Sequence, residues 1–98
     1  MDNYKIVVTP QSYRDLDDVY SVVLKLSADK DTAHNYIETI KAAIRKLKTF
    51  PKRGTIRTTG RFKGNRQIFV KEYTVVYRVD ESEKIVYILT IKPKSNKT

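Results

Sequence analysis

Residues 66–80 read RQIFVKEYTVVYRVD. Two runs rich in β-branched and aromatic residues flank one polar pair, Lys71-Glu72, which is the pattern of a β-hairpin. In the second run Tyr73, Val75, Tyr77 and Val79 share one face, and Thr74, Val76 and Arg78 share the other. The wholly apolar set calls for a covering layer, so Tyr73 and Tyr77 read as core residues. Arg66 and Arg78 are left as candidates for work on a partner.

The covering layer lies upstream. After the β-prone YKIVV (4–8), Thr9-Pro10 is a good N-cap followed by a residue tolerated at the first helical position, so a helix is expected from Pro10. Tyr13, Leu16, Tyr20 and Val23 recur at helical spacing, with Val19 and Leu26 widening the stripe. Asp29 or Asp31 can cap a second helix, whose stripe is Ala33, Tyr36, Ile37, Ile40, Ala43, Ile44 and Leu47. That helix stops before Pro51. The short polar break between the helices predicts an antiparallel helical hairpin.

Downstream, DESEK (80–84) reads as a turn and 85–91 as a further strand. There Ile85, Tyr87, Leu89 and Ile91 form the wholly apolar set and are expected to meet the helices, against Val86, Ile88, Thr90 and Lys92. Residues 51–65 read as a loop or irregular strand, and the tail KPKSNKT as frayed. The fold class is therefore α+β, in the order β-α-α-β-β-β, with a helical hairpin packed on one face of a mainly antiparallel sheet. Ninety-eight residues without repeats or a linker imply a single domain, 1–98.

Composition narrows the function. The chain has no cysteine, which excludes disulfides, thiolate metal sites and cysteine catalysis. No apolar run approaches the roughly 20 residues of a membrane span, and no signal peptide is visible, so a cytoplasmic protein without membrane contact is expected. The net charge of +9 is unevenly placed: residues 41–98 hold sixteen basic and four acidic residues, while residues 1–40 hold four and seven. From Pro51 to Lys71 there are seven basic residues and no acidic one. A basic half presents a basic face to nucleic acid or an acidic protein, although charge also keeps sheet edges from pairing with other chains.

Other chemistry finds little support. His34 is the sole histidine and has no recognisable partner. Asp15, Asp17 and Asp18 point to different sides of one helix and read as a charged helix face, so no metal is expected. Neither a serine triad nor a phosphate-cradling glycine loop is present, and no cofactor is expected. What remains is the basic run from Lys52 to Lys71, joined by Arg78 and by Lys92, Lys94 and Lys97. These could converge on one face of the sheet, where they would attract phosphates or stabilise charge developing on one.

The pattern R-x-I-x-V-x-x-Y-x-V-x-Y-R-V, here Arg66, Ile68, Val70, Tyr73, Val75, Tyr77, Arg78 and Val79, resembles the RelE/ParE superfamily of bacterial type II toxins. The helical hairpin, the FPKRG (50–54) that closes it, and IVYILTI followed by a basic tail fit as well, so the resemblance spans Tyr4 to Lys94. It implies a small basic toxin neutralised by a cognate acidic antitoxin, which would lay an apolar helix and an extended strand on it. RelE-like members cleave messenger RNA on the ribosome, whereas ParE-like members poison DNA gyrase without being nucleases.

The spacing here is closer to ParE. Thr74 stands where RelE has an arginine, and nothing aromatic follows Tyr87 to serve as RelE's C-terminal tyrosine. The resemblance therefore implies a gyrase poison, with Arg57, Arg61, Lys63, Arg66, Arg78, Lys92 and Lys94 as target-binding residues. The alternative is a ribosome-dependent messenger RNA endonuclease relying on Arg66, Arg78, Lys92 and Lys94. A third reading is a toxin-derived protein that retains only partner binding.

Overall fold

The computed structural model describes residues 3–94. Strand β1 (Lys5–Val8) leads into helices α1 (Pro10–Ser27) and α2 (Lys30–Arg45), then two short 3₁₀ turns, Lys46–Lys48 and Pro51–Arg53. Strands β2 (Thr55–Ile56), β3 (Arg66–Val70), β4 (Tyr73–Asp80) and β5 (Ile85–Pro93) complete one sheet in the order β1-β5-β4-β3-β2. All neighbours are antiparallel except β1 and β5. The expected helices, hairpin and α+β class are all present. The two-residue β2 was read only as a loop or irregular strand. The tail residues 95–98, Lys97 among them, lie outside the described residues.

Local chemistry sets the helix starts. Thr9 Oγ1 accepts the Ser12 N–H at 3.3 Å, capping α1, and donates to the Ile88 carbonyl at 2.7 Å. Asp29 caps α2 by accepting the Asp31 N–H at 3.2 Å. Both helices cover one face of the sheet. Leu16, Val19, Ile37, Ile40, Ile44 and Leu47 pack there against Tyr73, Val75, Tyr77, Val86, Ile88 and Ile91.

Two expectations about facing need correction. On α1 the buried face is Ser12, Asp15, Leu16 and Val19, leaving Tyr13 59% and Leu26 82% exposed. The apolar stripe misplaced this face because the helix N-terminus lies on the polar backbone of β5, where hydrogen bonds decide what is buried. Asp15 is thus no part of a charged surface. Its carboxylate accepts from Thr90 Oγ1 at 2.6 Å, the Ile91 N–H at 2.9 Å and Gln11 Nε2 at 2.8 Å. Strand β1 ends opposite Ile88, so Ile91 has no strand neighbour on that side among the described residues, and Asp15 takes its place.

On β5 the expected core set was Ile85, Tyr87, Leu89 and Ile91, yet Val86 and Ile88 are fully buried, and Tyr87 and Leu89 only partly so. The cause is a bulge: Val76 pairs with Thr90 but Tyr77 with Ile88, so Leu89 has no opposite number and the alternation inverts across it. Ile91 therefore reaches the core along with Ile88.

The FPKRG segment is held to the sheet from two sides. Tyr77 is fully buried, and its hydroxyl donates to the Pro51 carbonyl at 2.7 Å and accepts the Gly54 N–H at 3.0 Å. Arg66 Nη1 donates to the Gly54 carbonyl at 2.8 Å and the Lys52 carbonyl at 3.3 Å. A side chain at Gly54 would collide with the Gln67 carbonyl and come within 2.6 Å of the Tyr77 hydroxyl. Burial pushes the Tyr77 phenol above its ordinary pKa of 10.0, with the Gly54 N–H and the Arg66 and Arg53 charges pulling partly back. Burial, then the neighbouring Tyr36, raises Tyr73 as well.

Tyr77→Phe should cost roughly 2–4 kcal/mol in urea melts, because each buried group left without a partner costs about 1–3. Gly54→Ala should lower stability as well, and Arg66→Ala should do so without exposing the core. A folded-state pKa raised above the unfolded value gives stability that is complete below about pH 10 and lost as pH rises beyond it. Alkaline unfolding should therefore be shallower in Tyr77→Phe than in the wild type.

Candidate basic partner-binding face

The face of the sheet turned away from the helices is built from alternate residues. On β3 these are Gln67 and Phe69, and on β4 Thr74, Val76 and Arg78. They pair onward with Thr90, Lys92 and Tyr87 of β5. Val76 is fully buried although it faces away from the helices. The loop 57–65 explains this by folding over the sheet. Its Arg57 Nη1 donates to Gln67 Oε1, and its Phe62 ring lies 5.5 Å beneath Lys92 Nζ.

Cations and rings alternate over this face. Lys94 Nζ lies 5.6 Å from the centre of Phe69, the Arg61 guanidinium 5.6 Å from Phe62, and the Arg78 guanidinium 4.6 Å from Tyr87. Each ring's electron-rich face holds a cation while the cation keeps access to water. Of the sequence-predicted residues, Arg57, Arg61, Arg78, Lys92 and Lys94 come together here. Lys63 is exposed in the overlying loop. Arg66 pairs with Tyr77, at the sheet's end, and spends one nitrogen on the FPKRG carbonyls, though it also borders a cleft with Lys52 and Arg78.

Two cations of the basic run are engaged elsewhere. Lys52 pairs with Glu81 at 2.9 Å, and Glu81 also accepts from the Tyr4 hydroxyl at 2.9 Å. Those contacts, Lys52 first, hold the Glu81 carboxyl below its ordinary pKa. Lys71 lies over Tyr36 of α2, on the helix side. The aromatic partners were missed at the sequence level. Phe69 could have been found: it is out of phase with Ile68 and Val70, and it is 59% exposed.

Among outward-facing residues of β3, β4 and β5, Asp80 alone is acidic, and it lies at the strand end, accepting from Ser82 Oγ and the Glu83 N–H. Those hydrogen bonds, the Glu83 N–H first, lower its pKa. His34 is on α2, in the other layer. The face can therefore attract and hold negative charge, but it offers little that could accept a proton at neutral pH. Thr74, between Phe69 and Lys92 in the strand register, occupies its centre.

Two further surfaces are open. Beyond the short β2, the edge of β3 at Ile68–Val70 has no strand neighbour among the described residues, and a cleft there is lined by Ala43, Lys46, Arg53 and Val70. On α1, Tyr13, Val22 and Leu26 are exposed. No helix among the described residues is long and apolar enough to cross a membrane.

Among solved structures, a chain of the chromosomal ParDE toxin–antitoxin system of P. aeruginosa superposes with a TM-score of 0.79 at 20% identity, covering 94% of this chain and 97% of that one. A RelBE complex of Mycobacterium tuberculosis gives 0.66 at 20% identity, covering 98% and 97%. The archaeal RelE–RelB complex of Pyrococcus horikoshii gives 0.67 at 17% identity, covering 96% and 98%. These likenesses establish the fold. No curated protein matches significantly. Residues 6–97 match the family described as the ParE toxin of the type II toxin–antitoxin system parDE, and the chain belongs to that family.

Proposed function

We propose that this ParE-type toxin, a single domain over its 98 residues, acts in the cytoplasm by binding DNA gyrase without cleaving a substrate, and is neutralised by an acidic antitoxin. The observation that carries the first half is the outer face. It gathers Arg57, Arg61, Arg78, Lys92 and Lys94 around Thr74, with no histidine and with its one strand carboxylate held at the far end. Such a surface binds anionic partners but is poorly equipped to deprotonate a ribose hydroxyl.

The antitoxin is supported by the solved relatives, two of which are toxin–antitoxin complexes. The open surfaces suit the two segments such a partner would bring. The exposed apolar residues of α1 suit an amphipathic helix, and the open edge at Ile68–Val70, flanked by Lys46 and Arg53, suits an acidic extended strand.

Purified protein should inhibit gyrase supercoiling or trap cleaved DNA. Arg78→Ala and Lys94→Ala should each weaken that inhibition and lower toxicity while leaving the thermal melt within a few degrees of wild type. If both variants stay fully toxic, the outer face is not the working surface. Primer extension on translating messenger RNA should show no new cuts, and cuts at the ribosomal A site would establish the nuclease alternative instead. Val22→Glu together with Leu26→Glu should weaken antitoxin binding at least tenfold, measured by calorimetry, without loss of fold.

A further inference from the structure

The outer face combines three properties that a plain basic patch lacks. First, one aromatic ring is presented on the sheet, Phe69 at 59% exposed, and a second, the half-buried Phe62, stands on the loop laid over it. Second, each ring carries a cation, Lys94 over Phe69 and both Arg61 and Lys92 over Phe62, so a base reaches Phe69 as the exposed Lys94 swings off it toward the phosphate. Third, the two rings are joined through one rung of the sheet. Phe69 pairs with Thr74, Thr74 pairs with Lys92, and Lys92 covers Phe62. With strands about 4.8 Å apart, Phe69 and Lys92 stand roughly 10 Å from each other. Thr74 between them is covered, 4% exposed, and forms the floor beneath.

Rings that offer a face for stacking, with cations beside them to meet phosphates, suit unpaired bases. A duplex hides its base faces except at its ends, so stacking on Phe69 selects a single strand. An acidic protein would use the cations but would gain nothing particular from a phenyl face. We infer that the outer face binds single-stranded nucleic acid directly, with a base stacked on Phe69 and the backbone held by Lys92, Lys94 and Arg61. This rests on reading that face as the working surface, and it names part of what the surface touches: an unpaired strand, such as opened DNA or a messenger.

The test uses the full chain and no gyrase, so its failure and that of the gyrase reading are distinguishable. Fluorescence anisotropy would measure binding of labelled oligothymidine, oligouridine, the corresponding duplex and poly-glutamate. Saturable binding of a single strand, tighter than duplex or poly-glutamate, is expected, and whichever oligonucleotide binds more tightly names the natural source. Phe69→Leu keeps apolar bulk but removes the stacking face, and should weaken single-strand binding about tenfold while leaving its salt dependence unchanged. Lys94→Ala should instead reduce the salt slope by about 0.7, the value for one phosphate contact on a single strand. Phe62→Leu provides a second ring should Phe69→Leu fail to fold. Equal affinity of the folded ring variants and wild type, or duplex or poly-glutamate binding as tight as the single strand, would overturn the proposal.

Discussion

One phenol holds the two layers of this protein in register. The Tyr77 ring fills the core between sheet and helices, and its hydroxyl closes hydrogen bonds to Pro51 and Gly54 where the chain leaves the helical layer and enters the sheet. Those backbone groups are buried, and without the phenol they would need another partner or would cost free energy. Arg66 fixes the same segment from the sheet's end. The path of the loop 57–65 starts from this clamp, so the outer face depends on a residue of the inner one.

The two arginines of the opening hairpin sort by parity. Arg66 aligns with Tyr77 and is drawn into backbone contacts, whereas Arg78, one position further along β4, turns outward onto Tyr87. The arrangement separates structural from accessible charge. Acidic residues follow the same logic: Asp15 and Glu81 are bound into the architecture at different ends, and Asp80 is held in its turn. The outer face keeps its positive potential because these carboxylates are occupied away from its centre.

Much of the fold was legible in the sequence because it followed from single-element periodicity: the Thr9-Pro10 helix start, the α2 stripe, and the β4 alternation with its core tyrosines. What was not legible depended on contacts between elements. The Leu89 bulge inverts the β5 pattern and is set by pairing with β4. Asp15 is buried because β1 stops opposite Ile88, a consequence of sheet topology. Of the candidate site, the cations were visible as a charged run. Their division between outer face, FPKRG clamp and helix side was not, nor were the rings of Phe62 and Phe69 that organise them, because a loop folded across a sheet leaves no periodic trace.

The parallel pairing of β1 with β5 bears on how the chain is made. Lys5–Val8 leave the ribosome well before their partners, Ile85–Ile88. The bonds that Thr9, Ser12 and Asp15 make outside their own helix also go to β5. Helix α1 can form early but has nothing to seat its first turns until the final strand has emerged. Such non-local closure is slow, and it must wait for β5. Lys92 belongs to that same strand. Folding and completion of the basic face are thus one event, and a nascent chain that stalls before β5 carries neither.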